Sequence, residues 1–312
     1  MKRVVVIGGG TGVFTVLTGL KKYSPHLTAV VTMADEGGST GFLREEFGIL
    51  PPGDVRRALI ALADADNELL SELFNYRFKE GAGLTGHSFG NLMLTALERI
   101  TGSFGKAVKE AEKILGVKGR VIPSTLDKSR LFAQLEGGLV LKGEGNIDIP
   151  SRDRKLKIEK VWLKPKAVLN PEARDAILKA DGIVIGPGDL YTSLMPNLLV
   201  SGMPEAIKAS KARKIYVVNF MTKFGETNNF VAGDFVNEVE KYLGRDVLDF
   251  ALINSTQPSP QRMRKYILEK ASLVEIDKLP HRPSPIFGDF LRSGGFIRHD
   301  PDKLARVIVS LI

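Results

Sequence analysis

"KRVVVIGGGTGVFTVLTGLKKY", residues 2–23, runs from a continuous apolar stretch through a cluster of glycines into apolar residues at helical spacing. Valine and isoleucine without polar alternation predict a strand (2–8) buried on both faces, and 13–23 reads as the helix that follows it. A strand, a glycine turn and a helix are the first half of a βαβ unit, so the rest of the chain should alternate in the same way. It does. "LTAVVTM" (27–33) is a second buried strand, a long glycine- and proline-marked loop leads to "PPGD" (51–54), and "VRRALIALAD" (55–64) is a helix. Further helices are read at 67–78, 88–101 and 104–115. From 119 to 166 the helical period disappears, and "GRVIPST", "LFAQLEGGLVLKGEG" and "KIEKVWLK" read as short strands and hairpins. After Pro171 the alternation resumes. Strands "GIVIG" (182–186), "KIYVVNF" (214–220) and "DFALINS" (249–255) are set among helices at 171–180, 203–211, 231–243, 258–270 and 303–312. The predicted fold is a single α/β domain over 1–312, a doubly wound, mainly parallel, Rossmann-like sheet with helices on both faces and a β-hairpin excursion at 119–166.

Composition narrows the function. The 312 residues carry 44 Lys and Arg against 36 Asp and Glu, a formal charge of +8. These cations are scattered. The densest stretch, "SRDRKLKIEKVWLKPK" (151–166), is interrupted by Asp153 and Glu159 and alternates like an exposed ribbon. It reads as a solvated face, with no nucleic-acid motif beside it. No apolar run reaches the roughly 18–20 residues needed to cross a bilayer, so no membrane insertion is expected. The immediate entry into a strand is read as leaving no room for a signal peptide. The absence of cysteine removes disulfides, thiolate metal sites and a cysteine nucleophile, and suits a cytoplasmic protein.

In a doubly wound sheet, ligands bind outside the carboxyl ends of the strands, at the topological switch. Five expected strand ends run into polar loops: "GGGTG" (8–12), "ADEGGSTG" (34–41), "GPGDLYTS" (186–193), "NFMTKFGETNN" (219–229) and "NSTQPSP" (254–260). Five loops opening on one edge predict one composite site. In the first, Gly8, Gly9, Gly10, Thr11 and Gly12 place backbone amides and a helix N-terminus where a phosphate would sit. Val13 stands where the dinucleotide fingerprint has its third glycine, which argues against NAD(P), and no Lys-Ser/Thr follows to make a P-loop. In the second loop, Asp35 closes a strand ahead of Gly37, Gly38 and Ser39. It could meet a ribose hydroxyl, join Glu36 in holding Mg²⁺, or make an Asx turn. In the third, Gly186, Pro187 and Gly188 lead to Asp189, a further metal candidate, and to Thr192 and Ser193, read as capping a helix with or without a phosphate before it. Asn219 and Thr222 belong to the fourth.

Two helix starts add candidates. "PPGDVRRAL" puts Asp54, Arg56 and Arg57 in a first turn, where arginine opposes the helix dipole and calls for an anionic partner. "GHSFGN" sets His87 and Asn91 at i, i+4, read as facing the ligand together, with Ser88 either an N-cap or a contact. His26, His281 and His299 lack ligand spacing and are read as structural or surface residues.

"VVVIGGGTG", "MADEGGSTGFLREEFGILPPGDVRRALIALAD", "GHSFGNLMLTAL", "GPGDLYTSLMPNLLV" and "VNFMTKFGET", in that order, resemble the gluconeogenesis factor family (YvcK-like proteins). That family lies within the CofD-like superfamily, named for 2-phospho-L-lactate transferase. The resemblance runs from residue 3 to the final helix. It departs at Glu36, where the family usually carries a second aspartate, and at Thr40, usually serine. It implies a cytoplasmic regulatory protein that binds a UDP-sugar such as UDP-N-acetylglucosamine and supports growth and cell shape on gluconeogenic carbon sources. No agreed catalytic activity goes with the family. The resemblance also implies that Tyr266 and Arg298 serve the nucleotide-sugar site, and it leaves room for regulatory protein partners and a homo-oligomer. The transferase branch implies an alternative, Mg²⁺-dependent transfer of a phosphorus-containing group, with Asp35 as the leading metal or acceptor-positioning acid.

Overall fold

All five residues of β1 (Val4–Gly8) are buried, as an uninterrupted apolar run requires. In the computed structural model, which describes residues 2–24, 26–64, 68–148, 154–279 and 282–312, β1 sits inside a seven-stranded sheet. The other strands are β2 (Leu27–Val31), β3 (Arg120–Pro123), β4 (Arg130–Leu135), β5 (Val140–Lys142), β6 (Ile158–Lys164), β7 (Gly182–Ile185), β8 (Arg213–Val217), β9 (Phe250–Asn254) and β10 (Ser284–Gly288). The main sheet has the order β10-β9-β8-β7-β1-β2-β3, and every neighbouring pair is parallel. Strands β5-β4-β6 form a separate antiparallel sheet.

Alternation along β1 builds two cores, because successive side chains leave a strand on opposite faces. Val4 and Val6 pack with helices Gly10–Leu20, Gly53–Leu62, Phe104–Leu115 and Pro301–Leu311. Val5 and Ile7 pack with helices Pro171–Leu178, Met203–Ala209 and Ala232–Leu243, and with the inner face of the small sheet. The doubly wound α/β fold is therefore as expected. Among the described residues, no helix is long and apolar enough to cross a membrane.

Several local expectations change. Residues 35–53, read as a long loop, contain the helix Gly38–Phe47. Its glycines are boundaries: Gly37 is extended ahead of it, and left-handed Gly48 returns its N–H to the Arg44 carbonyl at 3.0 Å. Between them Leu43 and Arg44 are buried, so tertiary packing holds the turn-rich segment helical. Arg120–Pro123, assigned above to the excursion, instead extends the main sheet beside β2. Strand β10 was not anticipated, because "SPIFG" is a half-buried edge carrying proline. Thr192 and Ser193 do not cap a helix; they lie within the π-helical turn Leu190–Leu194, whose N-cap position is Asp189. The basic stretch lies on β6, where Lys160 and Lys164 are exposed and Trp162 stacks on Phe132 with ring centroids 5.7 Å apart. Its first residues, 151–153, lie outside the described residues, as do residue 67 of the helix read at 67–78 and His281.

Because all seven strands run the same way, the five polar loops do leave from one edge. Strands β2 and β3 lie on one side of β1 and the later strands on the other, so the switch falls between β1 and β7. That crevice is where a site is expected.

Candidate functional site

Two cavities, of about 550 and 640 Å³, open at the switch. They share Thr11, Gly12, Asp148, Gly188, Asp189 and Arg298, which form a seam between them. The first is largely apolar and aromatic, walled by Phe220, Met221, Phe224, Tyr266 and Ile297, with Asn219 and Thr222 among its polar groups. The second is acidic, walled by Gly9, Gly10, Gly37 and Gly38, by Asp35, Glu36, Asp54 and Glu144, and by Arg57, Thr192 and Ser193.

The first glycine loop already holds an anion from its own chain. The Gly10 N–H donates to Asp54 Oδ1 at 2.9 Å, and a Cβ at residue 9 would overlap Asp54 Oδ2. A carboxylate thus stands at the helix N-terminus where a phosphate was expected, leaving Thr11 and Gly12 at the seam. Burial, and then the neighbouring charge of Asp35, push the Asp54 pKa up to about 7 against the pull of Arg57, the Gly10 amide and Arg56. Asp35 makes the Asx-type contact, accepting the Gly37 N–H at 2.9 Å, while its other oxygen lies over Gly53. Glu36 is held by Arg44 at 3.3 Å and by Arg130 at 3.8 Å. Glu144 enters from the short helix Glu144–Asp148, and burial, then Asp35 and Asp148, push its pKa up to about 8. Asp35 offers a hard divalent cation an oxygen donor, but among the described residues it belongs to no group of three acids close enough to share an ion. Glu36 is already matched by arginine.

Crowded carboxylates set the pH response. Asp54 and Glu144 have folded values above their ordinary 3.8 and 4.5, so the native chain holds their protons more tightly than the unfolded chain. Their contribution is complete at acid pH and is lost as pH rises through about 7 and 8. Thermal midpoints should therefore fall between about pH 5 and pH 8.5, and Glu144→Gln should flatten the upper part of that fall. A profile unchanged by Glu144→Gln in differential scanning fluorimetry would refute this assignment.

Sequence reading did not single out Lys223, yet it organises the seam. Its Nζ contacts Asp148, Asp189 at 2.7 Å and Glu226 at 2.8 Å. Burial would lower the ammonium pKa, but Glu226, Asp189 and Asp148 overrule it and hold the group well above the ordinary lysine value. The three carboxylates are close enough to share a metal ion, but the ammonium stands among them. Arg262 is a second such residue. It donates to the carbonyls of Arg292 (2.9 Å), Gly295 (3.0 Å) and Phe296 (2.8 Å), tying helix Pro260–Leu268 to the loop that carries Arg298. On the same helix Tyr266 Oη accepts the Ile297 N–H at 3.0 Å. His299, read as structural or surface, lines the first cavity. Burial lowers its pKa to about 3 against a hydrogen bond with the Val218 backbone, so it is a neutral imidazole.

Other expected residues lie elsewhere. Ser39, His87, Ser88 and Asn91 form a buried network rather than a cavity wall. Ser39 Oγ lies 3.1 Å from His87 Nδ1, Asn91 donates to Ser39 at 3.3 Å, and Ser88 caps helix Phe89–Thr101. Arg56 meets neutral amide oxygens, Asn91 at 3.0 Å and Asn75 at 2.9 Å, in place of the anion its position suggested. Arg57 instead reaches the Thr11 hydroxyl at 3.3 Å. Gly8 and Gly186 pack beneath the seam, and Pro187, Gly188, Asn219, Thr222, Tyr266 and Arg298 line the first cavity.

The chain matches the family 2-phospho-L-lactate transferase CofD over residues 4–285. It is 41% identical to the gluconeogenesis factor of Bacillus subtilis, covering 99% of this chain and 98% of that protein. It is 43% identical to the gluconeogenesis factor of Halalkalibacterium halodurans, covering 99% and 96%. A crystal structure of a UPF0052-family protein from Bacillus halodurans superposes with a TM-score of 0.93 at 41% identity, covering 99% of this chain and all of that one. On an architecture, a loop set and a full-length likeness that all agree, the chain belongs to the gluconeogenesis factor family within the CofD-like proteins.

Proposed function

We propose that the protein binds a nucleoside diphosphate sugar of the UDP class in the cytoplasm and acts as a regulator. The observation that carries this reading is the paired cavity, aromatic at one end, acidic at the other, with a cation and a helix N-terminus on the seam. Tyr266 offers a ring for the base, and Arg298 a guanidinium for the diphosphate. Thr11 and Gly12 add the positive end of helix Gly10–Leu20. Beyond the seam, carboxylates accept hydrogen bonds from sugar hydroxyls. The regulatory half rests on what the relatives are called.

Calorimetric titration with UDP-N-acetylglucosamine, with and without Mg²⁺ and with GDP as contrast, tests the reading. Micromolar binding selective for uridine, little changed by Mg²⁺, is the expected result. Tyr266→Ala should weaken it about 10- to 100-fold, the usual loss for a base–aromatic stack. Silence toward UDP-sugars with Mg²⁺-dependent binding of GDP would favour the transferase reading, with Asp35 as its leading metal or acceptor-positioning acid.

A further inference from the structure

Helix Pro260–Leu268 buries none of its residues, yet it holds one wall of the first cavity in shape. That wall is a loop closed at its base by an antiparallel bridge between Leu291 and His299, with the Arg292 N–H donating to the Arg298 carbonyl at 3.0 Å. The tip is open. Gly294 and Gly295 have no atom within 4 Å of a would-be Cβ, and Gly295 is left-handed with φ at 69°. Arg262 supplies the restraint that packing does not. Its Nε, Nη1 and Nη2 donate to three different carbonyls, those of Gly295, Arg292 and Phe296, at 3.0, 2.9 and 2.8 Å. One turn on, Tyr266 Oη accepts the Ile297 N–H at 3.0 Å. The grip thus ends at Phe296, whose half-exposed ring carries two cations. Lys265 Nζ lies 4.7 Å from its centroid, and the guanidinium carbon of Arg298 lies 5.1 Å away. Among the described residues the Arg298 side chain has no hydrogen-bond or ion-pair partner. It rests on an aromatic ring, and its donors stay free at the seam.

We propose that Arg262 is a positioning residue for the ligand's diphosphate: by fixing the backbone at Phe296 it fixes the ring from which Arg298 is aimed. This rests on the nucleotide-sugar reading of the same site. Three carbonyls approached by one side chain need a rigid planar fork of donors, which a lysine, a point charge on a flexible stem, does not reproduce. Arg262→Lys therefore keeps the charge and loses the grip, which separates positioning from simple attraction of an anion.

The experiment titrates UDP-N-acetylglucosamine into the full chain and its variants, with thermal midpoints to establish that each is folded. Arg298→Gln should weaken binding about 10- to 100-fold, the usual loss for hydrogen bonds to a charged group. Arg262→Gln and Arg262→Lys should each cost about tenfold, and hydrogen exchange across residues 293–297 should quicken in both. Placed on top of Arg298→Gln, Arg262→Gln should cost less than about twofold more, because no guanidinium is left to aim. Phe296→Leu keeps the backbone grip and removes the ring, so it should reproduce the loss even if an Arg262 variant fails to fold. If the wild type does not bind the ligand, the nucleotide-sugar reading falls and this role falls with it. If the wild type binds and the Arg262 loss adds in full to that of Arg298→Gln, only the positioning role is overturned. Wild-type affinity in Arg262→Lys, or in folded Phe296→Leu, overturns it as well.

Discussion

Lys223→Met should cost about 3 kcal/mol of stability at neutral pH, because it strips from three converging carboxylates the ammonium that, among the described residues, contacts all of them. Removing one partner of a buried ion pair leaves the other charged and dehydrated, which typically costs about 3–5 kcal/mol. The lower end applies here. Glu226 is almost wholly enclosed at 1% side-chain exposure, but Asp148 and Asp189 retain 27% and 44% and can draw on water. The sign with pH follows from Glu226, whose pKa burial raises even while Lys223 pulls it down. Without the ammonium it rises further. A carboxyl held above its unfolded value loses its stabilising contribution as pH climbs, so the deficit of Lys223→Met should be smallest at acid pH and grow toward pH 8 or so. Urea denaturation at both ends of that range measures it. Adding Glu226→Gln should restore a large part of the loss. An equal deficit at both pH values, untouched by the second substitution, would mean that Lys223 acts by packing alone.

Gly12→Ala should be as damaging, by a steric route. A Cβ at residue 12 would run into the Pro187 carbonyl, 2.5 Å from its carbon, with the Gly188 nitrogen at 3.1 Å. The obstacle is backbone from the loop after β7, so no side-chain rotation relieves it. Overpacking of this kind costs about 1–3 kcal/mol, and a backbone collision belongs at the top of that range. The seam must splay, which separates the first turn of helix Gly10–Leu20 from Gly188 and should abolish nucleotide binding. Gly145 lines the same cavity with nothing near its would-be Cβ, so Gly145→Ala should stay within about 0.5 kcal/mol of wild type. Paired thermal melts and titrations decide the matter. If Gly12→Ala binds normally, the seam does not carry the diphosphate.

Both predictions concern residues whose roles were unequally visible. Gly12 is conspicuous in "GGGTG", although its partner Pro187 is not. Lys223 looks like any loop lysine, because its carboxylate partners Asp148 and Asp189 lie 75 and 34 residues away. Asp54 reaches Gly10 across 44 residues and takes the amide that glycine spacing reserves for a phosphate. In the same way, His87 and Asn91 have the spacing of paired ligands, but helix Gly38–Phe47 covers them and turns them into an internal network. That helix was itself hidden. Its intrinsic signal is weak beside its glycines, and packing of Leu43 and Arg44 supplies what propensity does not.

Apolar periodicity settled the alternation of strands and helices, the doubly wound class and the five loops on one edge. These follow from side-chain direction and burial, which are local properties of each segment. The folded chain alone decided which carboxylates meet, which of them lysine or arginine neutralises, and which glycine amide is already taken. Those outcomes depend on through-space separations of a few ångströms and on how much water is excluded. Neither quantity varies in any simple way with distance along the chain.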